Sequence, residues 1–77
     1  MKPEIRIRPN GDKEWYLNGL RHREDGPAHE CANSYYKGWY KSWWMNGQLH
    51  REDGPAREWQ NGSKEWWING VLVRSER

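Results

Sequence analysis

Between Glu4 and Arg8 the chain alternates polar and apolar positions, Glu-Ile-Arg-Ile-Arg, the period-two signature of a strand with one covered face. Pro9-Asn10-Gly11-Asp12 turns the chain, and Lys13 to Leu17 returns it as a second strand. Asn-Gly favours a two-residue type I′ hairpin because both central positions need positive φ. That turn is expected at Asn10-Gly11 and again at Asn18-Gly19. The second pairing sets Leu17 against Leu20, Tyr16 against Arg21 and Trp15 against His22. Alternation of side chains then groups Trp15, Leu17, Leu20 and His22 on one face, with Tyr16 and Arg21 behind. The same construction groups Trp43, Met45, Gln48 and His50, with Trp44 and Leu49 behind. It also groups Trp66, Ile68, Val71 and Val73, with Trp67 and Leu72 behind. Both faces carry aromatics, so one is expected to form the core and the other to meet a partner or ligand. No window sustains a 3.6-residue apolar period, and Gly or Pro recurs every few residues, so no helix is expected.

The pattern repeats. His22-Arg23-Glu24-Asp25-Gly26-Pro27-Ala28 returns unchanged as His50-Arg51-Glu52-Asp53-Gly54-Pro55-Ala56, each copy preceded by an aromatic pair and Asn-Gly. A third aromatic copy, Trp66-Trp67-Ile68-Asn69-Gly70, runs instead into Val73-Arg74-Ser75-Glu76-Arg77. One domain over 1–77, with units of about 4–28, 29–56 and 57–77, accounts for this repetition. In each Asp-Gly-Pro, Pro presets φ and offers no ladder donor, Gly permits a sharp reversal, and Asp bonds the turn backbone. The expected fold is all-β, an antiparallel meander of repeated hairpins joined by Asn-Gly and Asp-Gly-Pro turns. Trp15 and Trp43 are 28 residues apart, and Trp43 and Trp66 are 23 apart. The five extra residues make an aromatic insertion at 35–40, the least repeat-like part of the chain.

Composition changes the picture in two ways. Seven Trp and four Tyr with no Phe and few aliphatics make a small, marginal core, so a homo-oligomer is expected. A formal charge of +2, with acids and bases interleaved, argues against the positive field that a duplex nucleic acid needs. Cys31 is the single cysteine; it cannot form an internal disulfide and suits a reducing compartment. No apolar run approaches a membrane span or signal peptide, which makes the cytosol the default expectation.

Each heptapeptide offers an imidazole, a guanidinium and two carboxylates within four positions. His22 and His50 as acid and base, with Arg23 and Arg51 on a phosphate, would make a metal-free phosphodiesterase. The motif is missing at 73–77, where no further hairpin is launched, as a connector would be, and the scaffold reading is preferred. His22, His29, His50 and Cys31 lack paired ligand spacing. Ser34, Ser42, Ser63 and Ser75 occupy unrelated places, and no cofactor is implied. Trp15, Trp43 and Trp66 recur at equivalent positions and read as core ladders. Tyr35, Tyr36 and Trp39 do not recur. Together with Tyr40 and the neighbouring Lys37 and Lys41 they suit a surface for a protein partner or a stacked nucleobase.

The pattern Glu-Trp-Trp/Tyr-X-Asn-Gly-X-X-His-Arg-Glu-Asp-Gly-Pro-Ala over 14–28, and over 42–56 with Ser42 for the leading Glu, resembles a variant of the MORN-type β-repeat. It is similar to the form found in small proteins of tailed bacteriophages and large DNA viruses. The resemblance spans nearly the whole chain; the insertion at 35–40 and the missing last heptapeptide depart from it. It implies an antiparallel hairpin array, a viral origin and action in the host cytoplasm, without bringing a catalytic mechanism or a ligand. The expected function is therefore a non-enzymatic, phage-type counter-defence protein that docks on and inhibits a host protein. The alternatives are a sponge for a small (cyclic) nucleotide immune signal, with its pocket built by a symmetric oligomer, and the phosphodiesterase. Docking is favoured because no phosphate-cradling Gly-rich loop precedes a helix. The candidate binding residues are Tyr35, Tyr36, Lys37, Trp39, Tyr40 and Lys41, with His22, Arg23, His50 and Arg51.

Overall fold

A computed structural model of the chain describes residues 2–9, 11–34 and 38–77, the side chains of 32–34 excepted. Ten strands follow in order: β1 (Glu4–Ile7), β2 (Lys13–Leu17), β3 (Leu20–Arg21), β4 (His29–Ser34) and β5 (Gly38–Ser42), then β6 (Trp44–Met45), β7 (Gln48–Leu49), β8 (Arg57–Trp59), β9 (Lys64–Ile68) and β10 (Val71–Glu76). All pairings are antiparallel. The main sheet runs β1-β2-β4-β5-β8-β9-β10, with β3 attached to β2, and β6 and β7 form a separate ribbon. The fold is all-β; no described segment is a helix long and apolar enough to cross a membrane.

The chain therefore alternates between long hairpins, which build the main sheet, and short ones that leave it. The short hairpins have the register expected from the sequence, with Tyr16 opposite Arg21, Leu17 opposite Leu20, Trp44 opposite Leu49 and Met45 opposite Gln48. Their turns are type I′, with Asn18 and Gly19 at φ 53 and 78° and Asn46 and Gly47 at 52 and 81°.

Asn69-Gly70 has the same form, at φ 50 and 80°, whereas the turns at Gly11 and Gly62 behave differently. At the first turn Gly11 N–H donates to Arg8 O, and Arg8 N–H to Asp12 O. The loop thus holds three residues rather than the two expected. A two-residue turn would have required Pro9 to pair with Asp12, and Pro has no N–H to give. Gly62 N–H to Trp59 O and Trp59 N–H to Ser63 O close a second three-residue loop. There the neighbouring Gln60 N–H is turned outward to Trp39 O on β5. A third departure lies between β9 and β10: Leu72 faces Trp67 as expected, but Arg74 rather than Val73 faces Trp66. The bulge at Val73 brings the Arg74 guanidinium over the Trp66 ring, 5.0 Å from its centroid.

The core also differs from the expectation. The molecule is a layer of 34 × 28 × 16 Å, and neither sheet face is sealed. The fully covered side chains are small: Ala28, Ser42 and Ala56. Ala28 and Ala56 stand where each heptapeptide re-enters the sheet, and each gives its N–H to a flanking strand and accepts through C=O from the first ring residue of an aromatic pair, Trp15 or Trp43. Trp15 is buried, but Trp43 and Trp66 are only half-buried, so the expected apolar ladder is instead a row of rings capped by arginines. Arg23 lies 4.0 Å over Trp15 and Arg51 4.0 Å over Trp43. The opposite face has its own rule. The position before each aromatic pair supplies an acceptor for the second ring's donor: Glu14 for Tyr16 hydroxyl, Ser42 Oγ for Trp44 Nε1, and Glu65 for Trp67 Nε1. Ser42 thus fills the Glu position with the same function.

Candidate functional site

The heptapeptide residues are committed to holding units together. His22 Nδ1 accepts the backbone N–H of Asn46 at 3.0 Å, and His50 Nδ1 accepts that of Asn69 at 2.9 Å. A neutral imidazole that accepts at Nδ1 carries its proton on Nε2. Beside these bonds, Arg23 N–H donates to Trp44 O and Gly47 N–H to Arg21 O; one unit later Arg51 N–H donates to Trp67 O and Gly70 N–H to Leu49 O. Each short hairpin is thereby stitched to the next.

The arginine of the motif is a clamp. Arg23 Nε donates to Asp25 at 3.0 Å, and its Nη1 donates to Pro27 O at 3.0 Å and Glu30 at 3.3 Å. Arg51 repeats this set on Asp53, Pro55 O and Glu58. The motif glycines serve that clamp. Gly26 and Gly54 do not have positive φ, so the sharp reversal expected of them is not their duty. A Cβ at either would instead lie 2.9 Å from the arginine Cζ. The acid–base reading of His22 and His50 therefore draws on rings whose Nδ1 atoms already serve the fold.

Of the aromatic insertion, Tyr35, Tyr36 and Lys37 lie outside the described residues. Trp39, Tyr40 and Lys41 do not form one cluster, because strand alternation separates them. Lys41 Nζ sits 5.4 Å over the Trp39 ring on one face. Tyr40 points to the other face, with His29 at 5.7 Å edge-on and Trp59 at 5.4 Å, tilted by 43°.

Tyr40 leads to a site that the sequence reading missed. A groove of about 530 Å³ is lined by Arg21, His29, Tyr40, Trp44, Arg57 and Trp59. Cross-strand register builds it: His29 and Arg57 both pair with Ser42, while Tyr40 pairs with Trp59. Arg57 holds the centre, donating through Nε to Tyr40 hydroxyl at 3.0 Å and through Nη1 to Glu65 at 3.4 Å. Its Cζ lies within 5.7 to 5.9 Å of the Tyr40, Trp59 and Trp67 centroids. Arg21 donates to Glu14 at 3.0 Å and lies 5.3 Å over Trp44. The available signal was the two-residue spacing of Arg57 and Trp59 on a short strand, matched across the sheet by Tyr40 and Ser42.

The electrostatics are set by burial and pairing. Burial works against charge on Arg57, but Tyr40 and Glu65 more than offset it and raise its pKa above the usual guanidinium value. Burial also opposes the Glu14 carboxylate, yet hydrogen bonds from Arg8 and Tyr16 and the charges of Arg21 and Arg8 hold its pKa below the ordinary range. His29 is pushed the other way for a base: burial first, then the nearby Arg21, lowers its pKa against the pull of Glu14 and Asp12. The groove therefore presents two fixed cations, a neutral imidazole and three rings on one open face. No family model, curated protein or solved structure matches this chain.

Proposed function

We propose that this chain is a non-enzymatic docking module that holds a protein partner on the groove between Arg21 and Arg57. The observation that carries this reading is Arg57, fixed by Tyr40 and Glu65 among three aromatic rings and still partly open to solvent. Arg, Trp and Tyr are the residue types that dominate binding at protein interfaces, and rigid anchors lose little entropy on binding. A small ligand is held by a cavity that covers most of its surface; a layer 16 Å thick supports a flat contact better. The resemblance of the repeat to those of small phage proteins supports a host protein as the partner, its inhibition as the outcome and the host cytoplasm as the place.

The test is retention of a partner from host lysate on the immobilised chain, compared with Trp59→Ala. The wild-type chain should retain a protein that the variant loses, while both melt at the same temperature. A nucleotide that raises the melting temperature, with no partner whose retention depends on Trp59, would replace docking by sequestration of a nucleotide signal.

A further inference from the structure

We infer that the occupant of this groove is an acidic segment of a protein, presenting one carboxylate side chain beside an apolar one; this rests on the docking reading above. In a chain whose acids and bases interleave throughout, the lining of this groove holds two guanidiniums and no carboxylate. The groove between the two heptapeptide loops, by contrast, has Glu24, Asp25, Glu52 and Asp53 beside Arg23 and Arg51.

The donors are also left over in the right form. Arg57 spends Nε on Tyr40 and Nη1 on Glu65, and no acceptor among the described residues engages its Nη2. Arg21 spends Nη2 on Glu14, and no described acceptor engages its Nε or Nη1. The unspent N–H groups of each guanidinium can donate to a carboxylate oxygen. Both guanidinium forks are anchored from behind, Arg21 by a Glu14 that is 3% exposed, so the incoming carboxylate need not order them.

The amount of charge favours a carboxylate over a phosphate chain. Arg8, Arg21 and Arg57 face Glu14 and Glu65, and Asp12 lies 3.8 Å from His29, so three guanidiniums against three carboxylates leave no surplus of positive charge. A polyphosphate or nucleic-acid strand needs a row of uncompensated cations. A single carboxylate needs only the guanidinium N–H groups that the described acceptors leave unspent. Between the forks, the tilted Tyr40 and Trp59 rings and the Trp44 ring under Arg21 offer apolar surface for the neighbouring side chain.

The experiment is an NMR titration of the whole chain with three probes: a capped peptide carrying two glutamates around one leucine, its glutamine counterpart, and inorganic phosphate. The glutamate peptide should shift the Trp44 and Trp59 indole and Arg57 Nε–H signals saturably. The glutamine peptide should bind at least tenfold more weakly, and Arg57→Gln should weaken the glutamate peptide at least tenfold. If Arg57→Gln unfolds, Arg21→Gln serves, because Glu14 keeps Arg8 and Tyr16. Equal binding of the two peptides, tighter binding of phosphate, or no saturable shift with either peptide overturns the inference. In those cases a partner protein whose retention still needs Trp59 leaves the docking reading standing. Loss of that dependence as well removes both.

Discussion

Asn46 gives its backbone N–H to Nδ1 of His22, 24 positions earlier in the chain, and Asn69 gives its own to His50. The two bonds are equivalent under the repeat, and each joins the turn of one unit to the connector of the unit before it. In the third unit the corresponding position is Val73, on the fully exposed β10, and no described unit packs beyond it. Removing a buried acceptor leaves its donor unsatisfied, at a cost of about 1–3 kcal/mol. His22→Ala should therefore lower stability by that much, and His50→Ala by less, because the Asn69 amide is exposed. Val73→Ala should change it by under about 0.5 kcal/mol. Urea midpoints check the order; equal effects at all three positions would remove the stitching role.

The arginine clamp makes a second expectation. Gly54→Ala puts a methyl 2.9 Å from Arg51 Cζ, so the guanidinium must shift from its present seat on Asp53, Pro55 O, Glu58 and the Trp43 face. The cost should be about 1–2 kcal/mol, with a change in Trp emission. Arg51→Lys should behave similarly, since an ammonium cannot serve that planar set of acceptors. Asp53→Ala should cost well under about 1 kcal/mol, because Asp53 is a solvent-exposed partner of the clamp. The sequence assigned Asp53 the turn's backbone bond, and structure gives it an arginine instead.

What was legible in the chain was what two neighbouring residues decide locally. Asn18-Gly19 and Asn46-Gly47 force positive φ twice, so the register of each short hairpin follows at once. What was hidden depends on distant strands. Pro9 changes the class of the first turn through a missing donor, and Gln60 changes the fourth by bonding β5. A bulge at Val73 sets Arg74 opposite Trp66. The groove was hidden for the same reason: Arg21, Tyr40 and Arg57 belong to three units, and only the sheet brings them to one place. The acceptor role of His22 needs the stacking of two hairpins, which no local pattern records.

The turn classes can be told apart by substitution. Asn46 holds φ 52°, and alanine there should cost about 1–2 kcal/mol for the left-handed backbone. Asn61 lies outside that region; it accepts only Ser63 N–H at 2.8 Å on the surface. Asn61→Ala should cost about 0.5 kcal/mol. Thermal melts of the two variants side by side give the comparison, and a larger loss at Asn61 would contradict the assignment.

Acid should weaken the fold in two steps. The pKa of His29 is lowered on folding from 6.5, so the unfolded chain takes up that proton first. Its contribution is complete above about 6.5 and declines as pH falls below it. The Glu14 carboxyl is held below 4.5 in the fold. Its contribution is complete above that value and is lost as pH falls through it toward the folded pKa. In urea titrations across pH, His29→Gln should flatten the upper step, and Glu14→Gln should flatten the lower one while deepening the upper, because Glu14 pulls the His29 pKa upward. A pH profile unchanged by both substitutions would refute this account.

The strongest test of the repeat logic is to lengthen it. Tandem duplication of residues 44–66 inserts one 23-residue period and uses only segments whose contacts are described. The original His50 would then meet the duplicated Asn46 amide, and the duplicated His50 would meet Asn69. Both arginine clamps would be kept, because Asp53, Pro55 and Glu58 travel with Arg51. Two bonds at least would be missing: the duplicated Arg57 would face Ser63 where the original faces Tyr40 hydroxyl, and the duplicated Gln60 would face Gly62, whose N–H is already given to Trp59 O, where the original accepts from Trp39 N–H. When each unit contacts only its neighbours, stability is close to a sum of unit and interface contributions, and the added interface carries one stitch and one clamp. The longer chain should therefore unfold in a single transition at a midpoint no lower than the parent's. Its sheet content should rise in proportion to length, as circular dichroism can measure. A duplicated chain that is unfolded, or that melts in two separate steps, would show that the units are not interchangeable and that the stitches observed here do not carry the coupling.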